Sequence, residues 1–282
     1  MLKFIKLFVI ATVAATSLWL FFVNHNIPAM NTDTAVELPI IMYHSILKDD
    51  ELSGKYIITP ECLIEDIEYI SDMGYTSISA KELIDYVDNG TPLPEKPIML
   101  TFDDGCYNNY EYVLPILKLY GHKGIFSIVG KYTDEYTDIN EASTAYGYMR
   151  WIDVYNLSLS GYAEIANHSY DFHKYTDNRR ASKKKSWESI YDYQNIFLQD
   201  TEKMQNRCIN NADVTPVIYT YPFGEYSKES LGVLKDMGFR MSFTCNEGIN
   251  IITQNSECLY FLKRNNRPNN VETADFFNGI LN

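Results

Sequence analysis

The sequence predicts an α/β fold in which repeated β/α units surround a parallel sheet. From Leu38 onward, apolar runs of strand length recur, amphipathic stretches of helical period fill the gaps between them, and glycine closes several of those stretches. A chain of 282 residues with 46% hydrophobic and 22% charged side chains can bury a sizeable core, which excludes a disordered chain, a collagen-like repeat or a disulfide miniprotein. Its length alone allows two ordinary domains or one unit the size of an α/β barrel.

The expected strands are 39–43, 75–78, 98–102, 124–129, 163–166, 217–221, 239–243 and 259–262. Helices are expected between them. Residues 60–73 place Leu63, Ile64, Ile67 and Ile70 at helical spacing and stop at Gly74, while 79–87 starts on Ser79 as a cap and ends before Asn89-Gly90. Residues 108–119 and 228–237 follow the same logic and precede Gly121 and Gly238. The stretch 173–185 carries Arg179, Arg180 and three consecutive lysines, and reads as a solvated surface loop, or as the border of a groove, leading into a long helix over 187–207.

The N-terminus has Lys3 and Lys6 followed by an apolar run over 7–23. That run predicts a transmembrane signal anchor with residues 1–6 in the cytoplasm, a linker over 24–37 and one domain over 38–282. A cleavable signal peptide processed near Ile27-Pro28-Ala29 is the alternative. Both place the domain outside: held to the cell membrane by a single pass in the first case, secreted in the second.

The chain carries 24 Lys+Arg against 37 Asp+Glu, a net charge of −13, which argues against nucleic acid or another anionic polymer as a partner. No acid precedes Asp33, so the acidity belongs to the exported part. The five cysteines, Cys62, Cys106, Cys208, Cys245 and Cys258, form no C-x-x-C pair and read as core thiols, with a pairing among the last three left open.

Three segments carry chemistry. The strand at 98–102 runs into Asp103-Asp104-Gly105. An Asp-Gly turn explains one aspartate, but two at the end of a buried strand repel each other unless a cation or a shared proton relieves them. A second strand ends in Asn167-His168-Ser169-Tyr170-Asp171-Phe172-His173. The spacing of His168 and His173 does not suit one helix face, yet a tight loop can bring both imidazoles to one ion, and a carboxylate with two histidines leaves positions open for water and substrate. Tyr221-Pro222-Phe223-Gly224 ends a third strand in a turn that can also aim a backbone N–H at a developing oxyanion. Tyr43, Tyr107, Trp151, Tyr170 and Phe172 flank these segments as core or sugar-stacking aromatics, and Cys106 reads as a small buried side chain.

Thr101-Phe102-Asp103-Asp104-Gly105, the His168/His173 loop and the Tyr221-Pro222-Phe223-Gly224 turn resemble, in that order, the motifs of the polysaccharide deacetylase family, the NodB homology domain or carbohydrate esterase family 4. The resemblance covers residues 38 to about 280. Ile41-Met42-Tyr43-His44 and the wide histidine spacing are similar to the subgroup acting on exported poly-N-acetylglucosamine.

The resemblance implies a distorted, incomplete (β/α) barrel and metal-dependent removal of N-acetyl groups from poly-N-acetylglucosamine or peptidoglycan. It implies Asp103 as general base, Asp104, His168 and His173 as ligands of a divalent metal, Zn²⁺ foremost, and the backbone at Phe223 as oxyanion donor, with Tyr221 and Pro222 shaping the substrate side.

Two departures stand out. Where many members have an arginine there is Thr220, leaving Arg150 or Arg264 to orient Asp103. Where the family often has Leu-x-His there is Leu262-Lys263-Arg264, and arginine cannot act as the acid because it does not give up its proton. His44, at a strand end, is the substitute acid or else a structural histidine. An O-acetyl esterase, which needs no strong acid, and a non-catalytic glycan-binding protein of the envelope remain the alternatives.

Overall fold

The computed structural model describes residues 35–176 and 178–281. The expected anchor or signal peptide over 7–23, residues 1–6 and most of the 24–37 linker lie outside the described residues. Among the described residues no helix is long and apolar enough to cross a membrane.

Eight parallel strands form the central sheet: β1 (Ile40–Tyr43), β2 (Thr76–Ser77), β3 (Pro97–Phe102), β4 (Gly124–Ile128), β5 (Ala163–Asn167), β6 (Ile218–Thr220), β7 (Met241–Phe243) and β8 (Asn265–Asn266). Their order is β7-β6-β5-β4-β3-β1-β8, with β2 paired to β3. Every residue of β3 and β4 is buried, as expected of a parallel sheet covered on both faces. The rings of Tyr43, Phe102 and Phe126, from three adjacent strands, stack with centroids 5.1 and 5.0 Å apart.

The helices between strands are α1 (Pro60–Asp72), α2 (Ala80–Asn89), α3 (Leu114–Tyr120), α4 (Gly130–Ile139), α5 (Trp151–Ser158), α6 (Ile190–Ala212), α7 (Ser230–Asp236) and α8 (Thr273–Asn278). Local chemistry sets their ends. Thr59 accepts the Cys62 N–H ahead of Pro60, and Ser79 and Glu82 form a reciprocal capping box at the start of α2. Gly90 closes α2 in the left-handed conformation at φ 70°.

Seven of the eight expected strands appear, most trimmed at their ends. The eighth does not fall on 259–262: Ser256–Leu259 is a 3-10 turn, and the strand begins at Asn265. The apolar side chains of Leu259 and Leu262 are buried for packing, whereas the pairing belongs to the polar residues that follow. Leu262 forms a single parallel bridge to Phe243 of β7, while β8 pairs with β1, so residues 262–266 touch strands from opposite ends of the sheet, which curves as an incomplete barrel.

Other expectations shift. Val36–Leu38, partly assigned to the linker, is a strand pairing antiparallel with Asn250–Ile252. The basic stretch 173–185 contains a small hairpin, Tyr175–Thr176 with Arg179–Arg180, and its charges are largely spent on Glu188 and Glu225. The long helix starts at Ile190 and continues to Ala212. All five cysteines are free thiols, so the pairing left open among Cys208, Cys245 and Cys258 is not formed.

Candidate active site

Parallel strands deliver their C-terminal ends to one rim, and the chemical segments sit there: His44 after β1, Asp103 and Asp104 after β3, His168 after β5, and Tyr221 to Gly224 after β6. They open onto a cleft of about 430 Å³ lined by His44, Asp103, Asp104, His168, His173 and Phe223, together with Met42, Lys55, Tyr56, Tyr175, Cys245, Glu247 and Asn266.

Asp103 is held by Arg264. Nη1 and Nη2 of the guanidinium donate to the two carboxylate oxygens at 2.8 and 2.7 Å, while Nε donates to the Thr244 carbonyl at 2.9 Å. Nη1 also reaches the Thr101 hydroxyl at 3.1 Å, and that hydroxyl donates to the Ile41 carbonyl. Only 2% of the Asp103 side chain and none of Arg264 is exposed. Burial opposes ionisation of Asp103, but the charge and hydrogen bonds of Arg264 outweigh it and hold the carboxyl at about 2.

Arg264, one of the two arginines considered, therefore meets Asp103. Arg150 does not: its guanidinium is spent on Asp153 and Asn140, and Asp153 also accepts the Arg150 N–H at the start of α5.

Asp104 turns the other way. Its backbone is left-handed at φ 70°, as is that of Gly105 at φ 73°, and this reversal separates two carboxylates that adjoin in sequence. Asp104 Oδ1 lies 2.9 Å from His173 Nε2 and 3.5 Å from His168 Nε2. Burial raises the Asp104 carboxyl, yet the two imidazoles overcome that and hold it well below the usual carboxylate range.

The donor chemistry of this triad suits a divalent metal. His168 Nδ1 lies 2.7 Å from the Thr220 carbonyl, which can only accept, so Nδ1 carries the proton and Nε2 keeps its lone pair toward Asp104. One atom from each of Asp104, His168 and His173 lies within 4.8 Å of the others. A carboxylate and two imidazoles with room beside them match an open Zn²⁺-type site.

The remaining expected residues divide. Phe223 is left-handed at φ 55° and packs its ring 4.3 Å from His173 and 4.7 Å from Tyr175. Tyr221 and Pro222 are buried beneath the turn, and the Tyr221 hydroxyl pairs with Ser230 at 2.6 Å, so neither lines the cleft. His44 lines the cleft with its ring 4.8 Å from Tyr56 and its Nδ1 buried without a hydrogen-bond partner. Burial pushes His44 below the usual imidazole value, with the Asp104 and Asp103 carboxylates opposing that shift.

The cleft aromatics are Tyr56, Tyr175 and Phe223, of which only Phe223 stood in a recognisable motif. Tyr43, Trp151 and Phe172 are buried and do not line the cleft, nor does Cys106, whose backbone pairs with that of Tyr148. Tyr56, Glu247 and Cys245 come from loops without any local pattern, so only the fold reveals them.

The sequence profile of the family described as polysaccharide deacetylase matches residues 90–242, just over half of the chain. The chain belongs to the polysaccharide deacetylase family. The matched span holds Asp103, Asp104, His168, His173 and the Phe223 turn, and leaves His44 and Arg264 outside.

Among curated relatives, the chain is 24% identical over 228 residues to the poly-beta-1,6-N-acetyl-D-glucosamine N-deacetylase of Escherichia coli K12; the match covers 74% of this chain but only 34% of that protein. It is 26% identical over 223 residues to the putative polysaccharide deacetylase YxkH of Bacillus subtilis, covering 78% of this chain and 68% of that one. The chain thus spans about a third of the length of the Escherichia coli relative. Its fold is shared with the Streptococcus pyogenes deacetylase PplD, solved in complex with acetate, at a TM-score of 0.69 and 19% identity, covering 88% of this chain and all of that one.

The charge on Asp103 depends on a distant arginine, which gives a test with a definite sign. In the native protein Asp103 ionises more readily folded than unfolded, so its contribution to stability is present above about pH 4 and is lost as pH falls toward 2. In Arg264→Gln the carboxylate stays buried without its cation, and the relation inverts. The variant is expected to lose about 3–5 kcal/mol at pH 7 by denaturant unfolding, with the deficit shrinking as pH falls and Asp103 takes up a proton. A deficit that is constant from pH 7 to pH 3 would show that the two groups are not electrostatically coupled.

Proposed function

We propose that this chain is a metal-dependent deacetylase that removes N-acetyl groups from cell-surface polysaccharide built of N-acetylglucosamine, with poly-N-acetylglucosamine ahead of peptidoglycan as substrate. The observation that carries this reading is the convergence, in one cleft, of an ionised Asp103 with the Asp104, His168 and His173 triad. The name of the Escherichia coli relative supports the substrate class. The apolar run over 7–23 supports placing the domain outside the cell membrane, anchored or secreted.

Asp104, His168 and His173 would hold the metal, and a Zn²⁺ or similar ion there supplies Lewis acidity that polarises the acetyl carbonyl and acidifies water. Asp103 accepts a proton from the attacking water. Arg264 keeps Asp103 charged and fixes both of its oxygens, so the base presents one orientation to the cleft. A carboxylate held at about 2 is a weak base, which suits only a water already strongly polarised. The backbone at Phe223 is the proposed oxyanion donor, and the exposed rings of Tyr56, Tyr175 and Phe223 offer faces for sugar stacking.

An amide differs from an ester in its leaving group, because an amine must be protonated as it departs. His44 faces the same cleft and is the proposed acid; burial makes its protonated form a stronger acid than free imidazolium. His44→Ala is therefore expected to lower deacetylation of an N-acetylglucosamine oligomer by about 100-fold or more, while hydrolysis of 4-nitrophenyl acetate falls far less. Equal losses on the two substrates would remove His44 from the acid role.

The activity itself is tested by acetate release from N-acetylglucosamine oligomers, peptidoglycan fragments and acetylated xylan, followed by mass spectrometry. Release from the amide substrates is expected, with loss on chelation and recovery on adding Zn²⁺. Asp103→Asn is expected to abolish turnover while retaining metal, and His168→Ala to lose the metal. Release from xylan alone would identify an O-acetyl esterase, and glycan binding with no release would identify a binding protein. Full activity in Asp103→Asn would refute the mechanism.

A further inference from the structure

The two histidines of the triad are anchored very differently. His168 follows β5 directly, its N–H donates to the Ile128 carbonyl at 3.0 Å, and its Nδ1 is fixed by Thr220. His173 stands five positions on, outside any strand, yet its Nε2 must meet the same point in space. Something other than regular structure has to set the path between them.

That path is gripped from two sides. On one side, the first N–H groups of α4 hold the loop's carbonyls, Gly130 to Ser169 at 3.1 Å and Lys131 to Tyr170 at 2.9 Å. Gly130 is required there, because a Cβ would lie 2.8 Å from the Tyr170 ring and 2.6 Å from Met204 Sδ. On the other side, Asp200 of α6 accepts the Tyr170 N–H on Oδ1 and the Asp171 N–H on Oδ2, each at 2.8 Å. Ser169 is left-handed at φ 70°, with its N–H donated to Asn167 Oδ1 and its hydroxyl accepting the Phe172 N–H. The Tyr132 hydroxyl donates to the His173 carbonyl at 2.9 Å.

We propose that Asp200 is a positioning residue for the metal centre: by binding both peptide N–H groups in the middle of the 168–173 loop, it sets where His173 presents Nε2. This rests on the reading of Asp104, His168 and His173 as metal ligands. Asp200 touches neither imidazole, so its effect runs through the backbone. A carboxylate is needed because two adjacent N–H donors require two acceptors, and an amide side chain would turn its own NH₂ against one of them.

The test is a double-mutant cycle read as metal affinity rather than activity. Zn²⁺ binding to the metal-free protein is measured by competition with a chromogenic chelator. Asp200→Asn is expected to weaken Zn²⁺ binding about 10- to 100-fold, the usual cost of losing support behind a ligand. In the His173→Ala background the same substitution should cost less than about threefold, because the ligand it positions is gone.

Unchanged affinity in Asp200→Asn, or the same loss in both backgrounds, would overturn the proposal while leaving the metal centre intact. A native chain that binds no Zn²⁺ would overturn the centre and the proposal together. If thermal unfolding shows that Asp200→Asn does not fold, Tyr132→Phe takes its place in the cycle. It removes one neutral hydrogen bond to the same loop, with an expected loss of about threefold that vanishes in His173→Ala. A loss that persists there would overturn the positioning of His173 by this loop.

Discussion

Asp103 and Arg264 face each other with essentially no access to water, joined by two short hydrogen bonds and separated by 161 residues of chain. Burying either charge alone costs several kcal/mol, and burying the pair offers little net stability over an apolar substitute. The pair is better understood through the state it imposes. A lone carboxyl at this depth would be driven toward its neutral form by desolvation, and a neutral carboxyl cannot take a proton from water. The guanidinium is always charged and its fork matches both oxygens, so it holds Asp103 in one protonation state and one orientation. Thr101 and Thr244 accept further guanidinium hydrogen bonds from β3 and from the end of β7, tying the pair to the sheet.

A second buried pair, Arg267 with Asp66, lies three residues further on in the same segment. Asp66 also accepts the hydroxyls of Tyr43 and Thr273, so α1, β1 and the start of α8 are connected through one carboxylate. Together the two arginines fasten the polar stretch after Leu262 where hydrophobic contacts alone would leave it unspecified. Removing one partner of such a pair strands the other charge in the interior, at a cost of about 3–5 kcal/mol.

Much of this was legible in the sequence, and the limits have physical causes. Buried parallel strands are apolar on both faces, so 98–102 and 124–129 stood out as continuous runs and fell within a residue of their observed ends. The Asp-Asp-Gly and His-loop segments were visible because charge and imidazole at strand ends have no packing explanation. The strand at Asn265–Asn266 was not visible, since it is two polar residues long and owes its existence to pairing with β1. Helices α4 and α5 fall in gaps where helices were expected but not bounded, because α4 is mostly polar and aromatic and α5 is only eight residues long, too short to set a period. Arg264 could be named as a candidate but not separated from Arg150, because the choice rests on a contact across most of the chain. Tyr56 and Glu247 reach the cleft from loops and Tyr175 from a two-residue hairpin strand, where no periodicity exists to mark them.

The segment that brings Arg264 into place is also the one that spans the seam of the sheet, touching β7 at Leu262 and β1 at Asn265 and Asn266. The same short segment therefore joins the far strands of the sheet and supplies the cation that faces Asp103. The span 90–242 holds Asp103 and the other recognisable motifs but ends before Arg264, so the cation that faces this carboxylate comes from outside the matched region. A substitution that loosens residues 262–266 would therefore disturb the charge held on Asp103 as well as the pairing of the sheet, although it lies outside every recognisable motif.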